Sequence, residues 1–404
     1  MSWEYVKVKN VAMQIRGVSY NKEQSSEYSN TGYVPILRAH NIDGGAINYD
    51  NLVYVPDEVV SDNQYLKQFD IVIAASSGSI NLVGKAGIFN DMRHVSFGAF
   101  CKVLRPNLSI VDPWYFHYFF QTDNYKRSIA NLASGVNINN IRNEHLDELE
   151  LPLPDIYTQK RIAAVLIEAD TLIRKRKQAI AKLDELVQSV FFEMFGEPSS
   201  NPMGWEIRDF DYFAKIDTVM IKDFSGYEDY FHVGIDNIEK DTGNIIGCKR
   251  VSEENIISGK YLFTEKHIIY SKIRPYLNKV ALPDFKGVCS ADAYPILVDE
   301  NVTNRSFFAY ILRSKTFLNF IAQHSERTNI PKVNKEQLRT FKTICPSKEL
   351  QDQFQKVYIE IMNEKRTMHS QLAKLEQNFQ NLLHQAFTGK LQFATERETI
   401  AVKR

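Results

Sequence analysis

The chain repeats itself, and this repeat constrains the fold more than any other feature of the sequence. Residues 192 positions apart match without a gap from Tyr115 to Phe195 and from Phe307 to Phe387. The matches include Tyr115-Phe116-His117-Tyr118 with Phe307-Phe308-Ala309-Tyr310, Asn137-Ile138 with Asn329-Ile330, and Glu144-His145-Leu146 with Glu336-Gln337-Leu338. The period is the length of a domain and far exceeds that of a solenoid repeat. The sequence therefore predicts a tandem duplication.

Each half begins with a globular part. Short β-branched runs, such as Ile71-Val72-Ile73 and His267-Ile268-Ile269-Tyr270, alternate with clusters of Gly, Asn, Ser and Pro. This pattern predicts a mixed, β-rich α+β domain with helices at 114–131 and 306–323. We place the two globular domains at 1–154 and 201–346, with helical segments at 155–200 and 347–404.

The helical segments carry a coiled-coil pattern, in which apolar residues recur at spacings of three and four. They are Ile162, Leu166, Ala169, Ile173, Ile180, Leu183, Val187, Val190 and Met194, then Phe354, Tyr358, Ile361, Met368, Leu372, Leu375, Phe379, Leu382 and Ala386. The pattern predicts two long helices that pack on each other. About 37 helical residues span roughly 55 Å, comparable to about 16 base pairs. For Arg176 and Lys365, which interrupt the pattern, we favour solvated or snorkelling positions over a register-setting role.

Charge and composition narrow the class of protein. The chain has 49 basic and 49 acidic residues, which argues against a polycation that coats DNA. Residues 1–154 carry 13 basic and 16 acidic groups and residues 201–346 carry 20 and 19, so any DNA contact must come from local patches. The four cysteines lie far apart, and no segment has the apolar length of a membrane span. We expect a cytoplasmic protein with reduced thiols.

No catalytic signature survives inspection. The segment from Gly78 to Ala86 resembles a phosphate-binding loop, but it has the wrong glycine spacing and lacks the Ser or Thr that binds magnesium. Asp112-Pro113-Trp114-Tyr115 resembles an amino-methyltransferase motif, but it is better explained as the start of a helix. The histidines show no spacing typical of a metal site or a catalytic triad. We therefore predict no catalytic, cofactor-binding or metal-binding residues in this chain.

Polar loops at matching places of the two halves are the candidate DNA-binding sites. Their side chains are of the types that bind base edges and phosphates. The alternative is that these loops are solvated turns. The candidate residues are Ser76, Ser79, Asn81, Lys85, Asn137, Asn139 and Arg142 in the first half, and Lys272, Arg274, Tyr276, Asn278, Lys279, Arg327, Asn329 and Lys332 in the second.

The arrangement resembles the specificity subunit of Type I restriction-modification systems, and the resemblance covers nearly the whole chain. It is carried by Leu151-Pro152-Leu153-Pro154, Gln159-Lys160-Arg161-Ile162, Phe191-Phe192-Glu193-Met194-Phe195-Gly196 and Ala386-Phe387-Thr388-Gly389-Lys390-Leu391. Gly84-Lys85-Ala86 also lies where the family often has such a run. The second half departs from the pattern, with Gln351-Asp352-Gln353-Phe354 and Asn278-Lys279 in place of the expected residues.

The resemblance implies a non-catalytic subunit with two target-recognition domains. Each domain would read one half of a bipartite site in double-stranded DNA, and the helices, paired as an antiparallel coiled coil, would fix the unread spacer. Two methyltransferase subunits and further restriction and translocation subunits would be partners. S-adenosylmethionine, ATP and Mg would be bound by those subunits, and none by this chain.

Two other functions stay open at this point. One is a tandem scaffold whose β-rich domains bind protein or carbohydrate. The other is an enzyme whose site has no recognisable motif.

Overall fold

The computed structural model describes residues 3–76, 82–134, 140–325 and 331–393. The chain forms two compact units. Unit 1 comprises Met1–Lys177 and Ser370–Arg404, and unit 2 comprises Gln178–His369. Every helix in the described part of the chain is too short or too polar to span a membrane.

Unit 1 contains the first globular domain, whose hydrophobic core lies between its sheets and helices. Its strands are β1 (Tyr5–Lys7), β2 (Ala12–Arg16), β3 (Tyr33–Leu37), β4 (Ile42–Asp43), β5 (Ala46–Ile47), β6 (Val53–Pro56), β7 (Asp70–Ala74), β8 (Ala86–Phe89), β9 (Ser96–Phe97), β10 (Cys101–Pro106) and β11 (Glu150–Pro152). Its short helices are α1 (Pro113–Phe119), α2 (Asp123–Ser134) and α3 (Asn143–Asp147). The long helix α4 (Ile156–Phe195) begins in unit 1 and ends in unit 2.

Unit 2 contains the second globular domain. Its strands are β12 (Glu206–Asp209), β13 (Ala214–Ile216), β14 (Met220–Ile221), β15 (Phe231–Val233), β16 (Lys249–Arg250), β17 (Lys260–Phe263), β18 (His267–Ser271), β19 (Val280–Ala281), β20 (Gly287–Ser290), β21 (Ala293–Val298) and β22 (Lys342–Cys345). Its short helices are α5 (Phe210–Phe213), α6 (Arg305–Arg313), α7 (Lys315–Ser325) and α8 (Lys335–Arg339). The second long helix, α9 (Lys348–Phe387), begins in unit 2 and ends in unit 1.

Each unit contains its own central four-stranded antiparallel sheet, and the strand order is equivalent in the two units. It is β2-β10-β7-β8 in unit 1 and β13-β21-β18-β19 in unit 2. In both units the first strand of the domain also pairs with the strand that precedes the long helix, β1 with β11 and β12 with β22. These matches confirm the predicted α+β tandem duplication.

The helices predicted at 114–131 and 306–323 are each broken into two, so the prediction of single helices was wrong. The breaks have a local cause. Thr122 Oγ1 accepts a hydrogen bond from the Tyr125 amide at 3.3 Å, and Ser314 Oγ accepts one from the Phe317 amide at 3.2 Å. A hydroxyl that caps free amides in this way starts a new helix. The predicted helix start at Pro113 is confirmed, because Asp112 Oδ1 accepts hydrogen bonds from the amides of Trp114 and Tyr115.

A buried glutamine fastens each long helix to its own globular domain. Gln159 Oε1 accepts a hydrogen bond from the Asp112 amide at 2.8 Å, while its Nε2 donates to Pro154 O at 2.8 Å. Gln351, 192 positions later, accepts from the Thr303 hydroxyl at 2.7 Å and donates to Pro346 O at 2.9 Å. The repeated contacts give a physical reason for glutamine at this point of both halves.

Removing this clamp should destabilise unit 2. Gln351→Leu leaves a buried hydroxyl and a buried carbonyl without partners, so we expect the free energy of unfolding to fall by about 2–4 kcal/mol. Urea unfolding measures the loss. Gln353→Leu, two positions along α9 on an exposed face, is the matched control and should leave the midpoint nearly unchanged. A midpoint for Gln351→Leu equal to that of the control would contradict the proposed role of the clamp.

The long helices pack antiparallel, as contacts inside unit 2 show. The ring of Phe191 lies 5.5 Å from that of Phe354, while Asp184, earlier in α4, contacts Lys365, later in α9. Lys365 is only 5% exposed, and its Nζ lies 2.5 Å from Asp184 Oδ1. The preference for a solvated Lys365 was therefore wrong, because the facing helix supplies a carboxylate that compensates its buried charge. Arg176 is half-buried and contacts Gln371 within unit 1.

Candidate nucleic-acid interface

The predicted DNA-binding loops are joined in pairs by backbone hydrogen bonds. In unit 2, Ile273 forms a β-bridge with Lys332, and the Arg274 amide donates to Pro331 O at 2.8 Å. In unit 1, Ser76 forms the same kind of bridge with Asn140. The loop that follows the central strand, β7 or β18, therefore lies beside the loop that follows α2 or α7.

A third segment, which sequence analysis did not single out, joins each pair. It is the two-residue turn before β10 or β21. The amides of Ala75 and Ser76 donate to Phe100 O at 2.9 and 3.0 Å, and the Lys272 amide donates to Asp292 O at 3.0 Å. We call each set of three segments a loop junction. The loop junction comprises residues 75–76, 99–100 and 140–142 in unit 1, and residues 272–274, 291–292 and 331–333 in unit 2.

Positive charge accumulates at the loop junction of unit 2. Burial lowers the pKa of Lys272, and the positive charges of Lys332 and Lys335 lower it further, whereas the Asp292 carboxylate raises it. The Lys272 ammonium also lies 5.1 Å from the ring centre of Tyr294. Three ammonium groups near one carboxylate repel one another, and a bound anion such as a phosphate would relieve that repulsion.

Positive charge also accumulates beside the loop junction of unit 1, but from different sequence positions. Arg16 on β2 lies directly opposite Lys102 on β10. Burial lowers the pKa of Lys102, and the positive charge of Arg16 lowers it further, whereas the Glu144 and Asp147 carboxylates raise it. The Lys102 ammonium donates a hydrogen bond to the side chain of Asn143, which follows the junction residue Arg142. Like charges at opposed positions of a sheet are destabilising, and the Glu144 and Asp147 carboxylates offset part of this repulsion.

Arg274 and Tyr276 are displayed at the surface of unit 2. Arg274 is exposed and adopts a left-handed conformation with φ of 48° and ψ of 60°. Arginine rarely adopts this conformation, and surrounding contacts must hold it there. One such contact is the hydrogen bond that the Arg274 amide donates to Pro331 O. Tyr276 is 63% exposed, an unusual exposure for an aromatic side chain.

Several predicted contact residues already have partners within their own unit. Lys279 Nζ donates to Ile235 O at 2.7 Å, and Asn278 Nδ2 donates to Arg313 O at 3.3 Å. In unit 1, Lys85 Nζ lies 3.2 Å from Asp43 Oδ1, and Arg142 is exposed just before α3. These contacts hold the loops in place, and DNA binding by these side chains stays a prediction.

Other predicted contact residues lie outside the described residues. They are Ser79, Asn81, Asn137, Asn139, Arg327 and Asn329.

Arg16, Lys102 and Lys335 were not among the residues predicted from the sequence. The first two belong to strands and the third to the first turn of α8, where Lys335 Nζ donates to Thr218 Oγ1 at 2.6 Å. A search of polar loops passes over such positions. Only the pairing of β2 with β10 reveals that Arg16 and Lys102 are neighbours.

The sequence matches the family described as Type I restriction modification DNA specificity domain over residues 1–184 and 203–377. The match covers most of the chain, so this protein belongs to that family, as the resemblance predicted.

Curated relatives bear similar names. The chain is 39% identical over 186 residues to the Type I restriction enzyme StySPI specificity subunit of Salmonella potsdam and to the EcoKI specificity subunit of Escherichia coli. Each match covers 46% of this chain and 39% of the relative, so it spans less than half of the relative's length. The EcoDI specificity subunit of Escherichia coli is 26% identical over 376 residues, covering 83% of this chain and 81% of that protein.

Solved structures share the fold at low sequence identity. The Type-I restriction-modification system S subunit from M. genitalium matches with a TM-score of 0.60 and 15% identity, covering 98% of this chain and 97% of that one. A structure described as the complex assembly and conformational transition of the type I R-M system matches with a TM-score of 0.50 and 14% identity, covering 96% and 98%. At these identities the likeness supports the fold alone.

Proposed function

We propose that this chain is the DNA-recognition subunit of a Type I restriction-modification complex. Each unit reads one half of a bipartite site through its loop junction. The paired long helices fix the number of unread base pairs between the halves.

The observation that carries this proposal is the loop junction itself, which occurs in both units with the same backbone connections and different side chains. Arg16 and Lys102 supply the positive charge in unit 1, whereas Lys272, Lys332 and Lys335 supply it in unit 2. A duplicated frame with two different surfaces is suited to reading two different half-sites. The near-neutral domains then bind DNA through these local patches rather than through overall charge.

In this proposal the chain binds DNA and catalyses no reaction. Methyltransferase subunits would bind S-adenosylmethionine, and restriction and translocation subunits would bind ATP and Mg. The described residues contain no group of three or more His, Cys, Asp or Glu side chains that could hold a metal ion. The names of the relatives, which are specificity subunits of Type I restriction enzymes, favour a recognition role over the scaffold alternative.

Matched grooves support the binding of two methyltransferase subunits, one to each unit. In unit 2, a cavity of about 850 Å³ lies between α9, at Ile359 and Met362, and the loop at Asp284. In unit 1, a cavity of about 330 Å³ lies between α4 and the loop at Asn90, and it includes Ile167, 192 positions before Ile359. A repeated groove beside a repeated helix is suited to two copies of one partner.

A selection experiment tests the proposed function. The chain is purified with its methyltransferase partner and incubated with random DNA duplexes, and the bound fraction is sequenced. We expect a gapped consensus with two defined parts, and two methyltransferase subunits per chain by native mass spectrometry. The methyltransferase alone is the control and should select no such consensus. Failure of the complex to select any sequence across a range of salt concentrations would overturn the proposal and favour the scaffold alternative.

A further inference from the structure

The two-residue turns of the loop junctions, Ala99-Phe100 and Ala291-Asp292, are equivalent positions of the duplication. They lie 192 residues apart, and each immediately precedes the second strand of the central sheet. In both turns the carbonyl of the second residue accepts hydrogen bonds from the loop that follows the central strand. The backbone of the turn therefore has the same structural task in both units.

The side chains at these positions differ in character. Phe100 is 69% exposed, although a phenyl ring normally gains stability from burial. Asp292 is half-buried, and its backbone amide donates a hydrogen bond to Ser290 Oγ at 3.1 Å. Within the described part of the chain, its carboxylate receives no hydrogen bond. Because the carbonyl oxygen connects the junction, the side chain can change without loss of that connection.

Each of these side chains stands beside the cations that we assign to the phosphates. Phe100 precedes Lys102 by two residues, and Lys102 faces Arg16. The Asp292 carboxylate raises the pKa of Lys272. The Lys272 amide also donates a hydrogen bond to the Asp292 carbonyl oxygen. Phosphate contacts fix the position of a protein on the duplex, and side chains between them then meet the base edges.

We infer that Phe100 and Asp292 are specificity-determining residues that contact bases in the two half-sites, an inference that rests on the proposed function. Phe100 makes an apolar contact with the 5-methyl group of a thymine. Asp292 accepts a hydrogen bond from the N4 amino group of a cytosine.

Two substitutions in the full chain, purified with its methyltransferase partner, test this inference by the same selection. Phe100→Ala should reduce discrimination at one position of one half-site by about tenfold and leave the other half-site unchanged. Asp292→Asn should change the preferred base at one position of the other half-site from cytosine to adenine, because an amide pairs with N6 and N7 of adenine.

The controls are matched in exposure and charge. Leu108→Ala removes an apolar side chain that is 53% exposed and lies beyond the far end of β10, and Glu300→Gln neutralises a carboxylate beyond the far end of β21. Both controls should keep the parental consensus. Thermal unfolding shows whether each variant is folded.

The outcomes separate the inference from the proposed function. A parental complex that selects a gapped consensus, together with folded Phe100→Ala and Asp292→Asn variants that select the same consensus unchanged, overturns the inference and leaves the proposed function standing. A parental complex that selects nothing removes both.

Discussion

Replacing Lys272, Lys332 and Lys335 together by alanine should weaken DNA binding and make it less sensitive to salt. Burial lowers the pKa of Lys272, and repulsion by the positive charges of Lys332 and Lys335 lowers it further. If each contacts one phosphate, the slope of log K against log salt concentration becomes shallower by about 2.7. Between about 50 and 200 mM salt the parental complex should then lose about 40-fold more affinity than the variant. Fluorescence anisotropy with a cognate duplex at several salt concentrations measures both quantities.

A second triple variant controls for the change in net charge. Lys249, Lys266 and Lys286 are exposed; the first lies on the edge strand β16, and the other two lie just before β18 and β20, away from the loop junction. Their replacement by alanine removes the same three charges and should leave the slope close to the parental value. Equal slopes for both triple variants would contradict a phosphate-binding role for Lys272, Lys332 and Lys335.

Arg274→Ala should relax the sequence preference at one half-site. Arg274 is exposed in the loop junction and is held in a left-handed conformation, so its guanidinium can project toward a base edge. A bidentate contact to guanine contributes about 1–3 kcal/mol of discrimination, or roughly 5- to 150-fold. We expect this loss at one position of the half-site read by unit 2, and no change in the other half-site.

Two further substitutions identify the contact that Arg274 makes. Arg274→Lys keeps the charge but loses the paired hydrogen bonds, so it should preserve salt dependence and still relax the preference. Arg274→Gly adopts the left-handed conformation without strain, which separates loss of the guanidinium from disruption of the loop. Arg250→Ala, on β16, is the matched control. Unchanged affinity of Arg274→Ala for the cognate site at physiological salt would remove this residue from the interface.

The large features of the fold were predictable because they leave a periodic record in the sequence. The constant spacing of 192 residues predicted the duplication, and the apolar spacing predicted α4 and α9. The break between α1 and α2 was not predicted, because it depends on the hydrogen bond by which the Thr122 hydroxyl caps the Tyr125 amide. The burial of Lys365 was not predicted either, because it depends on Asp184 in the facing helix.

The candidate site was only partly predictable for a similar reason. Loop composition indicated Lys272, Arg274 and Lys332, yet nothing in their spacing shows that the two loops pair through Ile273. The turn at Phe100 has no distinctive sequence, and its place at the loop junction follows from backbone hydrogen bonds. Contacts between segments distant in the chain decide which side chains share a surface.

Sequencing of methylated bases in a host that carries this chain with its methyltransferase partner tests the central claim most directly. We expect one methylated motif with two defined parts separated by a fixed unread gap. Substitutions in the loop junction of one unit should alter only one of those parts. A single continuous motif, or methylation that does not depend on this chain, would contradict the proposed function.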